Sequence, residues 1–346
     1  MNDPSLLAGL DIGGSKVLAV AVDASGDDGR VRVVEQVRLT TFQGPEGVVD
    51  TALRALTALA GQLSGSNDHP ASPATLFRGV GIGVPGLVDA ERGAITHAVN
   101  LGVGTGGLAL ADRLRRRLQL PVVVENDVNA AALGAAAHLR LGRIDMAYLS
   151  IGTGLAAGIV LDGELRRGPH NAAGEIGHVP VDLSGPVCGC GQRGCLEAVA
   201  SGSAIAARWP SVEYADGSQA QGPATALFAA AAAGDPKAVT IRDEVAGYLA
   251  AAIRMLALTI DVDLVVLGGG VAEVGEPLRH AVASALDQQA EGSAFLRGLD
   301  LAARLSVVPR DQPVAAVGAA LLTHPGSVPL DAVLDGSRET IEDVPA

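Results

Sequence analysis

LAGLDIGGSKVLAVAVD, residues 7–23, sets an apolar run, a glycine-rich break and a second alternating run in succession. Alternation puts every second side chain on one face, and Gly13 and Gly14 give the backbone the freedom a tight reversal needs, so the stretch predicts a β-hairpin. A second stretch, AYLSIGTGLAAGIVLDG at residues 147–163, repeats the plan: with Ala8 set on Ala147, Leu10 falls on Leu149, Ile12 on Ile151, Gly13 on Gly152 and Asp23 on Asp162. Two hairpins of one design predict a duplicated, two-lobed α/β chain, with the glycine turns facing each other across an interlobe cleft as a phosphate-binding pair.

Working outward, strand-like runs at RGVGIGVPG (78–86) and LPVVVEND (120–127) alternate with helical patterns over 46–63, 108–119 and 128–140. Helix dominates after residue 200 until DLVVLGGGVA (263–272), a buried strand entering another glycine turn. At 346 residues the chain exceeds what one core organises. We therefore expect an N-terminal lobe over 1–125, completed by a helix near 314–324, and a larger lobe over 126–313. The tail, 325–346, is polar and broken by Pro and Gly, which argues against order.

The net charge of -13 leaves no cationic face for nucleic acid or an anionic membrane. Arg113 to Arg117 reads as the solvated side of a helix. The N-terminus has no basic segment followed by an apolar core, and charged residues interrupt the Ala-rich stretch after residue 223, so neither export nor a membrane span is expected. Three cysteines are too few for a disulfide scaffold. A reducing cytoplasm fits.

Those cysteines all fall in GEIGHVPVDLSGPVCGCGQRGCLE, residues 174–197. Cys188, Cys190 and Cys195 supply three soft ligands, His178 completes the tetrahedral set that structural zinc prefers, and Gly189, Gly191 and Gly194 let the backbone wrap tightly. The competing reading is a loop of small buried thiols with His178 at the surface. Asp127 ends a strand and opens a helix; the sequence alone leaves two readings open, a catalytic base and an N-cap for the helix starting near Val128.

Taken together in order, DIGGSK (11–16), ENDVNAAALG (125–134), SIGTG (150–154) and the Cys-rich loop resemble the ROK family of sugar kinases, open reading frames and repressors, within the actin-like ATPase and hexokinase superfamily; the resemblance runs from residue 7 to about 322. It implies a two-lobed, ribonuclease H-like α/β fold and ATP-dependent phosphorylation of a hexose at its 6-hydroxyl, glucose first. Under it, Gly13 and Gly14 approach phosphate oxygens, Ser15 and Lys16 offer a hydroxyl and a cation, and Asp11 holds Mg²⁺. Gly152, Thr153 and Gly154 form the partner turn. Gly268, Gly269 and Gly270 form the adenosine-side turn, with Gly318 either near it or simply packing a helix. Asp127 is the base, and Asn100, Asn126, Asp127, Glu175, His178 and Glu197 surround the sugar, His178 being shared with zinc.

The chain departs from the family pattern at Ser15, where Thr is commoner, in the glycine-rich stretch 100–110, and at Ala135, where a Glu often stands. The family's repressors carry a helix-turn-helix ahead of the first hairpin; here Asp11 comes ten residues after the start of an acidic chain, so DNA binding is not expected. The resemblance leaves open N-acetylmannosamine, N-acetylglucosamine or fructose as substrate, a non-catalytic sugar sensor, and polyphosphate as donor. It also implies a homodimer or higher homo-oligomer.

Overall fold

A computed structural model describes residues 6–25, 31–65, 71–141, 144–209, 222–309 and 311–324. The expected tail, 325–346, lies outside them. Two compact units are present: the described residues within 1–143, 162–164 and 314–324 form the first, and those within 144–161 and 165–313 the second.

The first unit contains β1 (Leu6–Ile12), β2 (Lys16–Asp23), β3 (Arg32–Thr40), α1 (Gly44–Ser64), α2 (Pro73–Leu76), β4 (Phe77–Val84), β5 (Leu87–Asp89), β6 (Ala94–Thr96), α3 (Leu110–Leu118), β7 (Val122–Asn126) and α4 (Asp127–Leu139). Its main sheet runs β3-β2-β1-β4-β7. β1 pairs antiparallel with β2 and parallel with β4, and β4 pairs parallel with β7. The parallel strands carry near-continuous apolar runs because helices cover them; Val80, Ile82, Val122 and Val124 are buried.

The second unit repeats this order. β8 (Met146–Ile151), β9 (Leu155–Leu161) and β10 (Glu164–Leu165, of which Glu164 is grouped with the first unit) precede α5 (Leu196–Ala200), α6 (Gly202–Arg208), α7 (Pro223–Ala232), α8 (Pro236–Ile260), β11 (Leu264–Gly268), α9 (Glu276–Ala290), α10 (Ala294–Leu299) and β12 (Leu305–Val307). The sheet runs β10-β9-β8-β11-β12, with β8 antiparallel to β9 and parallel to β11. The repeat read from the two hairpins thus extends to whole sheets. The core is aliphatic, built by Leu249, Ile253 and Leu256 of α8, Leu278 and Val282 of α9 and the inner strands.

The lobe boundary expected at residue 125 falls instead at 143, because α4 packs into the first unit. It does so by crossing α11 (Val314–Leu321), which belongs to that unit. The crossing is backbone to backbone. A Cβ on Gly318 would overlap the Ala130 carbonyl oxygen and stand 2.6 Å from Gly134 N, while one on Gly134 would stand 2.9 Å from Gly318 N. α11 lies equally close to the sheet, where a Cβ on Gly9 would come within 2.7 Å of Ala320 N and one on Gly81 within 2.5 Å of the Ala319 carbonyl carbon. Gly318 therefore serves helix packing. Among the described residues no helix is long and apolar enough to cross a membrane.

Candidate active site

In the first unit the β1–β2 turn is held by its own backbone and by two neighbouring segments. Gly13 N–H donates to Lys16 O at 3.0 Å, and Thr41 N–H donates to Ser15 O at 3.1 Å. Gln43 Nε2 donates to Gly14 O. A Cβ on Gly14 would stand 2.8 Å from Asn100 O, so only glycine lets the 3₁₀ turn Val99–Leu101 approach. Asn100, Ser15 and Lys16 are all exposed.

Asp11, half-buried near the end of β1, has its carboxyl pushed up to about 7, first by burial and then by the negative charge of Asp127, with Lys16 pulling the other way. The three groups therefore share one electrostatic neighbourhood. Asp127 opens α4 where β7 ends. The N-cap is Asn126, one residue earlier than the capping alternative placed it: its Oδ1 accepts from Val128 N at 2.9 Å and Asn129 N at 3.2 Å. Asp127 Oδ1 also accepts from Val128 N, at 3.0 Å, and sits where helix N–H dipoles stabilise negative charge. Asn126 Nδ2 donates to Gly86 O at 3.3 Å, so most of this side chain's capacity already serves the fold.

Glu125, to which the sequence reading gave no role, is buried beneath this corner and accepts from Asn126 N at 2.9 Å and Asn129 Nδ2 at 3.0 Å. A carboxylate ending the apolar run VVV was its only signal. Gln43 and Asn129 were likewise missed.

In the second unit the turns 152–154 and 268–270 lie side by side at the C-terminal ends of the paired strands β8 and β11, where Gly268 is opposite Ser150. Open α/β sheets bind ligands at this edge. Gly269 has φ 81°, and a Cβ there would stand 2.7 Å from the Ile151 backbone, so the two turns need a glycine at their contact.

His178, Cys188, Cys190 and Cys195 bring one ligand atom each within 4.8 Å of one another. Cys190 Sγ is 3.7 Å from Cys195 Sγ, and Cys188 Sγ is 3.8 Å from His178 Nδ1. A tetrahedral zinc with bonds of about 2.3 Å has S–S edges of about 3.8 Å, so the donor set and its spacing fit the ion. Exposed Cys190 is lowered to about 6 by hydrogen bonds from Gln192, whereas burial pushes Cys195 up to about 12. Gly191 and Gly194 adopt φ of 90° and 71° to close the loop, which Gly189 does not need to do. The other ring nitrogen of His178, Nε2, lies 3.8 Å from Glu175 Oε2, pairing two of the expected sugar ligands. Glu197 Oε2 accepts from Leu155 N–H at 3.0 Å, just past the 152–154 turn.

Residues 7–325 match the ROK family. The chain belongs to the ROK family. Among curated relatives, this ROK protein is 36% identical over 303 residues to the glucokinase of Halalkalibacterium halodurans, covering 83% of this chain and 88% of that one. It is 34% identical over 262 residues to the N-acetylmannosamine kinase of Escherichia coli, covering 76% and 82%. Of solved structures, a ROK family glucokinase from Streptomyces griseus in complex with glucose and AMPPNP matches at TM-score 0.70 and 32% identity, over 92% of this chain and 98% of that one. A ROK family transcriptional regulator, a homologue of the E. coli MLC protein, matches at TM-score 0.72 and 25% identity, over 95% of this chain and 79% of that one. The ROK kinase structures share the actin-like ATPase fold described above. With both curated relatives and the ligand-bound structure being sugar kinases, the chain is a sugar kinase of the hexose and hexosamine class.

Proposed function

We propose that this kinase transfers the γ-phosphoryl group of ATP to the 6-hydroxyl of a hexose, with glucose the first candidate. The observation that carries the reading is the placement of Asp127 at the head of α4, in the electrostatic company of Asp11 and Lys16. Asp127 accepts the proton of the hydroxyl as that oxygen forms its bond to the γ-phosphorus. The bond from phosphorus to the bridging oxygen breaks, ADP leaves with that electron pair, and the proton passes from Asp127 to solvent. Such transfers depend on positioning and on charge stabilisation more than on full deprotonation. The Gly13–Lys16 and Gly152–Gly154 turns present backbone close to phosphate oxygens, and Lys16 adds a cation. The 268–270 turn takes the adenosine side. Mg²⁺, for which Asp11 is the ligand, would neutralise the phosphate charge.

Asn100, Asn126, Glu175, His178 and Glu197 provide donors and acceptors for the sugar hydroxyls. Zinc on the Cys₃His set would fix the loop that carries three of them, with no coordination position left open for chemistry. Thiol ligands fit a reducing cytoplasm, and the resemblance implies a homodimer or higher homo-oligomer. Glucose is favoured over N-acetylhexosamines by the glucokinase relative and by the glucose-bound structure. The similarity to a regulator supports the alternative of a sugar sensor. One assay separates them: ADP release with ATP, Mg²⁺ and a panel of hexoses and N-acetylhexosamines, on protein of known zinc content. Turnover on glucose supports the proposal; turnover only on another sugar reassigns the substrate, and silence on every sugar by zinc-replete protein overturns ATP-dependent hexose phosphorylation in favour of a sensor or of a donor or sugar outside the panel.

A further inference from the structure

The Gly152–Leu155 turn is packed on one side by the 268–270 turn and is gripped at several further points by the chain that enters or leaves the Cys₃His loop. Gly202 N–H donates to Gly152 O at 2.7 Å. Ser203 Oγ donates to Thr153 O at 2.8 Å. Leu155 N–H donates to Glu197 Oε2 at 3.0 Å. Across Leu155, a Cβ on Gly177 would overlap the Leu155 carbonyl oxygen and stand 2.9 Å from its carbon, so the backbone around Gly177 lies flat on the start of β9.

Two of these grips adjoin metal-ligand candidates: Gly177 precedes His178, and Glu197 follows Cys195 by two residues in the first turn of α5. Glu197 Oε1 also takes the Cys188 thiol at 3.9 Å, a bond that a zinc-bound Cys188 thiolate has no proton to make. With metal bound, Glu197 is joined to the Cys₃His loop through the backbone of Cys195, two residues before it, while its other oxygen holds the glycine turn. Gly154 makes room for it, since a Cβ at that position would overlap Glu197 Oε2.

We propose that Glu197 is a positioning residue that ties the Gly152–Gly154 turn to the Cys₃His loop, so that the metal content of the loop sets the order of the turn as well as of the sugar ligands. The inference deepens the proposed function and rests on its assignment of that turn to nucleotide phosphate. A carboxylate accepting a backbone N–H makes a charge-assisted bond, stronger than the neutral bonds elsewhere around the turn. It becomes an effective link only if the helix carrying Glu197 is itself fixed. Cys195, the N-cap residue of α5, and His178, beside Gly177, supply that fixing when both are bound to one ion.

The test is hydrogen exchange at the Leu155 amide in the full-length protein, with Zn²⁺ loaded, after chelation, and after Zn²⁺ is returned. In the wild type, chelation should speed Leu155 exchange about tenfold or more, and Zn²⁺ should reverse it. Glu197→Ala should exchange at the fast rate with or without Zn²⁺, and its KM for ATP should rise by more than its kcat falls. Glu197→Gln keeps an oxygen acceptor and should restore much of the protection and the ATP KM. If Glu197→Ala fails to fold, Gly154→Ala serves instead, because its methyl group displaces the carboxylate without removing it. Leu155 protection that is unchanged in these variants, or indifferent to Zn²⁺ in the wild type, overturns the proposal. AMPPNP added to the wild type tests the phosphate assignment separately: exchange over 152–155 should slow. Failure there with the Zn²⁺ dependence intact removes the nucleotide reading and leaves the tie standing.

Discussion

The crossing of α4 and α11 yields a quantitative prediction. In Gly318→Ala the new methyl carbon stands 2.6 Å from Gly134 N and overlaps the Ala130 carbonyl oxygen. An unstrained approach needs about 3.5 Å, so the helices must part by about 1 Å or more. Both obstacles are backbone and cannot rotate away. α11 is also held by the strands at Gly9 and Gly81. Overpacking of this kind costs about 1–3 kcal/mol or more, and a site walled by backbone belongs at the upper end. The gain in helix propensity, about 1 kcal/mol, opposes it. The net expectation is a loss of about 2 kcal/mol, or about 4–8 °C in the midpoint of the first unit. Gly247→Ala, in α8, is the control. Its nearest neighbour would be the Gln289 Nε2 atom at 3.9 Å, so propensity acts alone and the second unit should gain up to about 1 kcal/mol. Gly134→Ala should resemble Gly318→Ala, and the double variant should cost less than the sum, because helices already parted admit the second methyl. Denaturant unfolding of the four variants provides the measurement. If Gly318→Ala is as stable as the wild type, the helices do not cross at backbone contact and the reasoning fails.

Further expectations concern the proposed chemistry. Asp127→Asn should lower kcat by about 10²–10⁴ while sugar binding, followed by calorimetry, persists; near-normal turnover would remove Asp127 as the base. The Asp11 carboxyl, at about 7 in the folded chain against 3.8 in the unfolded one, gives folding a pH slope of definite sign. The folded state holds the extra proton, so the unfavourable contribution of Asp11 to stability is absent below pH 4, grows as pH rises toward 7 and is constant above. The full shift corresponds to about 4 kcal/mol, and less where water reaches the half-buried group. In EDTA, Asp11→Asn should thus match the wild type at pH 4 and exceed it at pH 8, while losing activity with Mg²⁺; equal pH profiles for the two proteins would refute the assignment. Cys190→Ser should lose bound zinc and sugar affinity together, as read by metal analysis and sugar titration, and a zinc-free variant with unchanged kinetics would sink the loop's proposed role.

What the sequence disclosed followed the range of the interactions involved. The hairpins were legible because alternation and a glycine turn are local signals, and the Cys₃His set was legible because its ligands crowd one loop. β3 escaped notice: RVVEQVRLT is an edge strand that exposes most of its residues, so polar and apolar positions do not sort into faces. Placing α4 in the first unit needed the pairing of Gly134 with Gly318, two glycines that mean little singly. The link from Glu197 to Leu155 spans 42 residues and rests on a backbone amide, which no side-chain pattern announces.

The duplication also explains why the two turns need different supports. At aligned positions, Asp11 of the first hairpin corresponds to Ser150 of the second, and Lys16 to Leu155. The first turn keeps the charged groups, and its backbone is held by neutral partners, Thr41 N–H and the Gln43 amide. An additional carboxylate against that backbone would compound the repulsion that already raises Asp11 beside Asp127. The second turn has no charged residue from Ser150 to Leu155. It can therefore accept Glu197 as its anchor without a like charge in the turn itself. A lysine at position 155 would carry its cation into the buried place of the Leu155 side chain, where it must either lose its hydration or turn toward Glu197 and compete with the Leu155 amide for that carboxylate. On this reasoning Leu155→Lys should loosen the 152–154 turn even though it adds a phosphate-seeking charge, and ATP affinity should fall. A rise in ATP affinity would show that charge at this turn matters more than its geometry.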